Sequence, residues 1–137
     1  HNKEASSFEN AWLAGFTDAE GCFTCSVVDR SATYTQIQVK YILSQKGEYK
    51  LMNEIAILTN GKVHYLKSYN GYNMTVNFSN LSKIIRYFTL YRLKTKKYID
   101  YLNWLKVYRL VKAKKHFTPE GLVKIRSLIK KINAKQV

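Results

Sequence analysis

Two carboxylates, Asp18 and Glu20, close a run of small and apolar residues, Ala11-Trp12-Leu13-Ala14-Gly15-Phe16-Thr17-Asp18-Ala19-Glu20-Gly21. The apolar spacing is helical and the glycine reads as a helix stop, so both acids stand at a helix C-terminal end. That end already carries free carbonyls and the negative pole of the dipole, which makes acids there unfavourable. A divalent cation held by the Glu20 carboxylate and the Ala19 carbonyl would reverse the penalty, since hard cations take oxygen ligands. Water or a neighbouring lysine would also answer the charge, leaving an ordinary capped helix, and the residue types alone leave both readings open. Ala14 and Gly15 are small enough to let two helix backbones approach closely. The helix therefore suits packing against a second copy of itself, with Trp12, Leu13, Ala14, Gly15 and Asp18 as the expected interface residues, which would bring two acidic ends together.

The whole chain has the opposite charge. Across 137 residues, 23 Lys plus Arg face 9 Asp plus Glu, a formal net charge of +14. So large an excess points to a polyanionic partner, most simply nucleic acid. A membrane-surface role fits less well, because the lysines are scattered rather than gathered on one amphipathic helix. No stretch approaches the apolar length needed to span a bilayer. The apolar fraction of 46% is that of a globular chain, long enough for one domain with a core, and residues 1–137 read as a single domain. The start is polar and is not Met, which reads as a processed or trimmed chain. Lys, Ile, Asn and Tyr are abundant and Pro occurs once. Those preferences match A/T-rich codons, as in an organellar genome. Cys22 and Cys25 form one CxxC without a second pair, which is poor for structural zinc. On a strand they point to opposite faces and read as free thiols.

The elements that would carry these residues follow one another without a linker or repeat. Ser6 and Glu9 form a capping box for a helix over 7–19. Residues 22–29 and 33–43 read as a hairpin, with Ile37, Val39 and Tyr41 on one face and Tyr34, Gln36, Gln38 and Lys40 on the other. Residues 48–58 are helical, with Leu51, Ile55 and Leu58 inward and Asn60-Gly61 as the stop. Residues 62–69 and 72–78 read as a second hairpin, turned by the two residues Asn70-Gly71. Helices follow over 80–90 and 95–111, the latter with Ile99, Leu102, Leu105 or Val107, and Leu110 toward the core. Thr118-Pro119-Glu120 opens a last helix, as cap, first-turn proline and dipole-matched acid. The order α-β-β-α-β-β-α with further C-terminal helices is α+β, an antiparallel sheet with helices on one face. The other face would carry Ser26, Arg30, Gln36, Gln38, Lys40, His64, Ser68, Asn73 and Thr75, with Tyr34 beside them. Such a surface, rich in donors and acceptors, can enter a DNA major groove. His64 reads there as a base or phosphate contact, and the basic run 112–115 as a loop touching phosphates without reading sequence. Trp12 and Trp104 read as packing residues.

Leu13-Ala14-Gly15-Phe16-Thr17-Asp18-Ala19-Glu20-Gly21 resembles the LAGLIDADG motif, with Phe16 for Leu, Thr17 for Ile, and Glu20 keeping the carboxylate of the second Asp. Gly21-Cys22-Phe23 is similar to the continuation usual in that family of homing endonucleases. Arg92-Leu93-Lys94-Thr95-Lys96-Lys97 with Asp100 and Trp104, and His116-Phe117-Thr118-x-Glu120-Gly121-Leu122, look like its later segments. The resemblance covers nearly the whole chain. It implies the LAGLIDADG core, αββαββα, with a saddle-shaped antiparallel sheet facing nucleic acid. It also implies site-specific hydrolysis of double-stranded DNA with a divalent cation, normally magnesium, by two motifs acting together, each cutting one strand. Glu20 would bind the cation with help from the Ala19 carbonyl, and Asp18 would support the motif turn. Gln45 stands where relatives keep a water-positioning Gln. Lys94 matches the basic residue that stabilises phosphate charge, with Lys96 as fallback. Tyr49 stands where some relatives have a further basic residue, and Lys46 and Lys50 are near enough in sequence to substitute.

One motif per chain implies a homodimer, or one half of a two-motif protein, encoded by an intron and working in an organelle, most simply a mitochondrion, with the chloroplast as the other option. The competing reading is an intron RNA maturase or a structural RNA-binding protein on the same fold, for which structured RNA would be the partner. Glu20 favours the nuclease, since an RNA chaperone has no need of it. A β-ribbon repressor would use the sheet surface and leave the acidic helix end unexplained.

Overall fold

A computed structural model describes residues 8–47, 49–68 and 70–133. The elements are α1 (Trp12–Glu20), β1 (Gly21–Asp29), β2 (Thr35–Lys46), α2 (Tyr49–Thr59), β3 (Lys62–Leu66), β4 (Gly71–Val76), α3 (Ser82–Leu90), α4 (Lys97–Lys112) and α5 (Pro119–Asn133), with single 3-10 turns at 78–80 and 115–117. The expected α+β order is present. The strands form one antiparallel sheet in the order β1-β2-β4-β3. The β1–β2 register runs from Gly21 opposite Leu43 to Asp29 opposite Thr35.

Alternation along the strands splits the sheet into two faces. Phe23, Cys25, Ile37, Val39, Tyr41, Leu43, Met74 and Val76 are buried under the helices. Phe23 is the hub of an aromatic cluster, its ring 5.0 Å from Trp104, 5.2 Å from Tyr101 and 5.7 Å from Phe88. Trp104 is fully buried, and its indole N–H donates to the Lys40 carbonyl at 3.0 Å, which satisfies the one polar group of that side chain.

Several expectations need correction. The capping box at Ser6 and Glu9 lies partly outside the described residues, and residues 8–11 form turns, so the helix begins at Trp12 rather than Ser7. Its orphan N–H groups are satisfied instead by the Asn10 side chain, which accepts from the Trp12 amide at 2.9 Å, and by the Tyr87 hydroxyl, which accepts from the Ala14 amide at 2.9 Å. The same hydroxyl donates to the Asn10 carbonyl at 2.7 Å, and Tyr91, just past the end of α3, donates to the Glu9 carbonyl at 2.8 Å. Gly21 is extended (φ −90°) and not left-handed. Its requirement is space: a Cβ there would stand 2.5 Å from the Thr17 methyl and 2.9 Å from the Thr17 carbonyl oxygen.

The second hairpin does not turn through Asn70-Gly71 alone, because Gly71 already pairs with Leu66 as the first residue of β4, and Asn70 before it is left-handed (φ 53°). β3 therefore ends at Leu66, and Ser68 lies in the turn. On α2 the inward face is Met52, Ile55, Ala56 and Thr59, one position on from Leu51 and Leu58. On α4 it is Tyr101, Trp104, Leu105 and Val107, while Ile99 is 48% exposed. The α5 start is as expected, with the Thr118 hydroxyl accepting from the Gly121 amide at 3.0 Å.

Candidate active site and nucleic-acid interface

The last turn of α1 presents Ala19 and Glu20 to solvent, at the point where the chain enters β1. Around it the protein has gathered positive charge. The Lys97 ammonium, on the first turn of α4, donates to the Thr17 carbonyl at 3.2 Å, a cation on the negative end of the helix. Asp18 turns away from Glu20 and grips the chain before α4. Its carboxylate accepts the Lys94 amide at 2.9 Å, the Thr95 amide at 3.1 Å, and the Thr95 hydroxyl. Burial by itself pushes this carboxyl up. The bonds from Thr95 and Lys94, together with the Lys97 charge, outweigh that and hold it below its ordinary value. Asp18 therefore spends its charge inside the chain, and doing so brings the 94–97 lysines to the acidic helix end.

Gln45 arrives at the same place from the sheet. The last β1–β2 rung is Gly21–Leu43, and Gln45 sits one pleat past it, opposite Tyr72 of β4, at the end where α1 joins the sheet. Glu20, Ala19, Gln45 and the Lys94 backbone are thus collected at one end of the sheet. Lys94 and Lys96 are exposed, whereas Lys97 is half-buried. Lys97 is the residue that sequence reasoning passed over. The cluster 94–97 was visible, but only the direction in which α4 starts decides which lysine turns to α1.

From that end the polar face runs outward. Ser26 lies opposite Gln38, Asn73 lies between Ser44 and His64, and Thr75 lies between Ile42 and Lys62. Thr24, opposite Lys40, together with Ser44 and Lys62, shares this face. The alternation rule finds these three once the strand limits are known. Arg30, one pleat past Val28, hydrogen-bonds Gln36 through its Nε at 2.7 Å. Two expected members are elsewhere. Ser68 is in the β3–β4 turn, and Tyr34 precedes β2 and lines a cleft with His116, Phe117, Thr118, Pro119 and Leu122.

The expected helix interface is also redistributed. Leu13 and Ala14 are 1% and 4% exposed, packed on their own core, so neither can meet a second motif. The outward side is Ala11, Gly15 and Ala19, flanked by Trp12 stacked on Phe16 at 5.1 Å. A Cβ on Gly15 would meet nothing within 4 Å. Cys22 and Cys25 form no disulfide and point to opposite faces, and burial pushes the Cys25 thiol up to about 12.

Among the described residues, no three His, Cys, Asp or Glu side chains gather as a metal cage. The acidic end offers one exposed carboxylate and the carbonyls of a helix terminus. That donor set is all oxygen and incomplete. It does not fit zinc, and it fits a hard cation such as magnesium, which keeps waters and takes substrate phosphate oxygens as its remaining ligands.

Comparison with known proteins identifies the same framework. The LAGLIDADG endonuclease family model matches residues 13–108. A "probable intron-encoded endonuclease 4" of Neurospora crassa is 56% identical over 128 residues, covering 93% of this chain and 24% of the relative, so the chain spans about a quarter of that protein's length. The crystal structure of the homing endonuclease I-TnaI superposes with a TM-score of 0.82 at 26% identity, covering 89% of this chain and 86% of that one. I-SmaMI, bound to an uncleaved DNA target in the presence of calcium ions, superposes with a TM-score of 0.84 at 30% identity, covering 89% of this chain and 44% of that one.

Proposed function

Since the chain belongs to the LAGLIDADG endonuclease family, we propose that it is one motif-bearing half of a site-specific DNA endonuclease that hydrolyses phosphodiester bonds in duplex DNA. The observation that carries this reading is the convergence at the end of α1. An exposed carboxylate at Glu20, Gln45 at the neighbouring end of β2 and the Asp18-anchored lysine loop 94–97 lie at the end of the sheet from which the polar, cationic face extends. A duplex lying on that face would pass its backbone over the acidic end, where repulsion between phosphate and the Glu20 carboxylate is the cost that a divalent cation would offset.

Glu20 and the Ala19 carbonyl would hold the divalent cation, which when bound supplies Lewis-acid stabilisation of phosphate charge and a lowered water pKa. Lys94 places its ammonium beside the phosphate, Gln45 orients the attacking water by its amide, and Lys97 fixes the helix end against which Glu20 is set. Magnesium is the expected cation. Calcium accompanied the DNA complex of I-SmaMI, and calcium shares the same oxygen preference.

A single chain holds one such site, so cutting both strands requires a second motif. The outward stripe Ala11, Gly15 and Ala19 supplies a surface for it, either on an identical chain or on a covalent neighbour. The fold unit matches nearly all of I-TnaI and under half of I-SmaMI, so it fits both arrangements. An intron-encoded origin follows the N. crassa relative, and an organellar, mitochondrial location is the one the A/T-biased composition suits. The DNA-bound neighbour and the relative's name favour duplex DNA over structured RNA as the ligand.

The decisive experiment is magnesium-dependent cleavage of the sequence flanking the chain's own insertion site, run beside Glu20→Gln. Cleavage should fall by on the order of a thousandfold or more, the scale lost with one charge-stabilising group, while binding in calcium is retained. Parallel loss of binding and cutting would make Glu20 a structural residue and remove the assignment.

A further inference from the structure

Resting on that reading, we infer that Arg30 and Gln36 form a preassembled guanine-reading pair at the far tip of the sheet. They sit on the polar face as diagonal neighbours across β1 and β2, since Val28 lies opposite Gln36 and Arg30 follows one pleat later. Arg30 Nε donates to Gln36 Oε1 at 2.7 Å. The orientation of the amide is fixed by chemistry, because a guanidinium has no acceptor and only the amide oxygen can face it. Both hydrogen-bonding sides of the pair are thereby decided. The Gln36 oxygen is turned to the guanidinium and its NH2 faces away from it. Arg30 has spent one of its five donors, and its two terminal nitrogens remain. What Arg30 offers outward is donors only, since a guanidinium has no acceptor.

A donors-only surface selects among base edges. Glutamine reads adenine by accepting from N6 while donating to N7, and Gln36 in this pair has its oxygen turned to the guanidinium instead. Guanine alone presents two acceptors, N7 and O6, side by side in the major groove, the match for an arginine fork. The bond to Gln36 also removes rotamer freedom that a lone exposed arginine would have to lose on binding. Gln38 makes the contrast on the same face. It has no side-chain hydrogen bond among the described residues, keeps both donor and acceptor, and carries no such restriction.

The geometry also gives a position. β1 runs from Gly21, beside the acidic helix end, to Asp29, just before Arg30. Nine residues at a strand's rise of about 3.3 Å place Arg30 roughly 30 Å from the cutting end. At 3.4 Å per base pair along the duplex, that is about nine base pairs outward, fewer where the strand crosses the groove obliquely.

The test is selection from a random synthetic duplex library in calcium, with wild type, Arg30→Ala and Gln36→Ala. Wild type should enrich a guanine at one outlying position of each half-site, favoured roughly tenfold to a hundredfold over the other bases. Arg30→Ala should lose that preference and no other, and Gln36→Ala should weaken it several-fold. If Arg30→Ala instead lowers affinity evenly for all sequences and flattens the salt dependence by about one phosphate, Arg30 holds backbone and the inference is overturned. An adenine at that position overturns it as well. Failure to enrich any duplex at all would remove the DNA reading itself, a different result from enrichment without the guanine.

Discussion

The two sides of α1 and its cap residue Ala11 do different work. On the inner side Leu13, Ala14 and Thr17 are closed off, and tyrosines from two other elements hydrogen-bond the polar groups there. Thr17 Oγ1 donates to the Leu13 carbonyl at 2.7 Å and, its single hydrogen being spent, accepts from the Tyr41 hydroxyl at 2.7 Å. The Tyr87 hydroxyl caps the Ala14 amide from α3. On the outer side Ala11, Gly15 and Ala19 present backbone and methyl groups to solvent, and among the described residues nothing lies within 4 Å of a Cβ built on Gly15. The inner side explains why the helix is where it is. The outer side is uncovered among the described residues, so its small residues suit a close approach by another surface.

The sharpest way to break this contrast is Gly15→Leu. In the isolated chain it should leave the fold intact or stabilise it by about 0.5–1 kcal/mol, since Leu is the better helix former and has open space. Against a second motif the side chain would overpack a close helix contact by about 3 kcal/mol, so double-strand cutting should fall roughly a hundredfold and give way to nicking. Thermal unfolding and gel assays of both strands read the two halves of the claim. Double-strand cutting at the wild-type rate would mean that the motifs do not meet on this side.

Thr17→Val attacks the inner side. It preserves shape and strands the buried Tyr41 hydroxyl, which should cost about 2 kcal/mol in urea unfolding. Adding Tyr41→Phe should return part of that loss, because removing both partners leaves no orphan. A double variant less stable than the sum of the singles would show that the pair matters through packing alone.

Much of this contrast was legible in the sequence, and some of it was not. Periodicity located the strands and helices because it reports burial, and the acidic helix end stood out because its charge opposes the dipole. What failed was direction. The pattern Ala14-Gly15 marks smallness but not which of the two faces inward, and the answer depends on Tyr87, seventy-odd positions away. The capping box at Ser6 lies outside the described residues, and the start of the helix at Trp12 is met by a tyrosine from another helix, which no local pattern announces. Ile99 and Leu51 were each one helical step from the true inward face, since α4 and α2 are apolar around much of their girth. The role of Asp18 was partly legible as a support for the motif turn. That the support is the segment 94–95 could only come from the fold.

Asp18 offers the smallest effect and the most specific signature. Its folded carboxyl lies below the ordinary value of 3.8, with burial opposing and the Thr95 and Lys94 bonds and Lys97 charge prevailing. A depressed folded pKa means that on acidification the unfolded chain takes up the proton first. The stabilisation is therefore fully present above about pH 4 and drains away as pH falls through the folded value. Asp18→Asn should cost about 1 kcal/mol at neutral pH, a figure reduced from that of a buried charged hydrogen bond because the site is largely open to water. The two unfolding curves should converge as the pH drops below 4. The variant should also lose cleavage out of proportion to stability, since the loop that sets Lys94 beside the acidic helix end is no longer anchored. A stability difference that persists unchanged at pH 3 would mean the carboxylate charge is not what holds that loop, and the lysines would need another reason to be there.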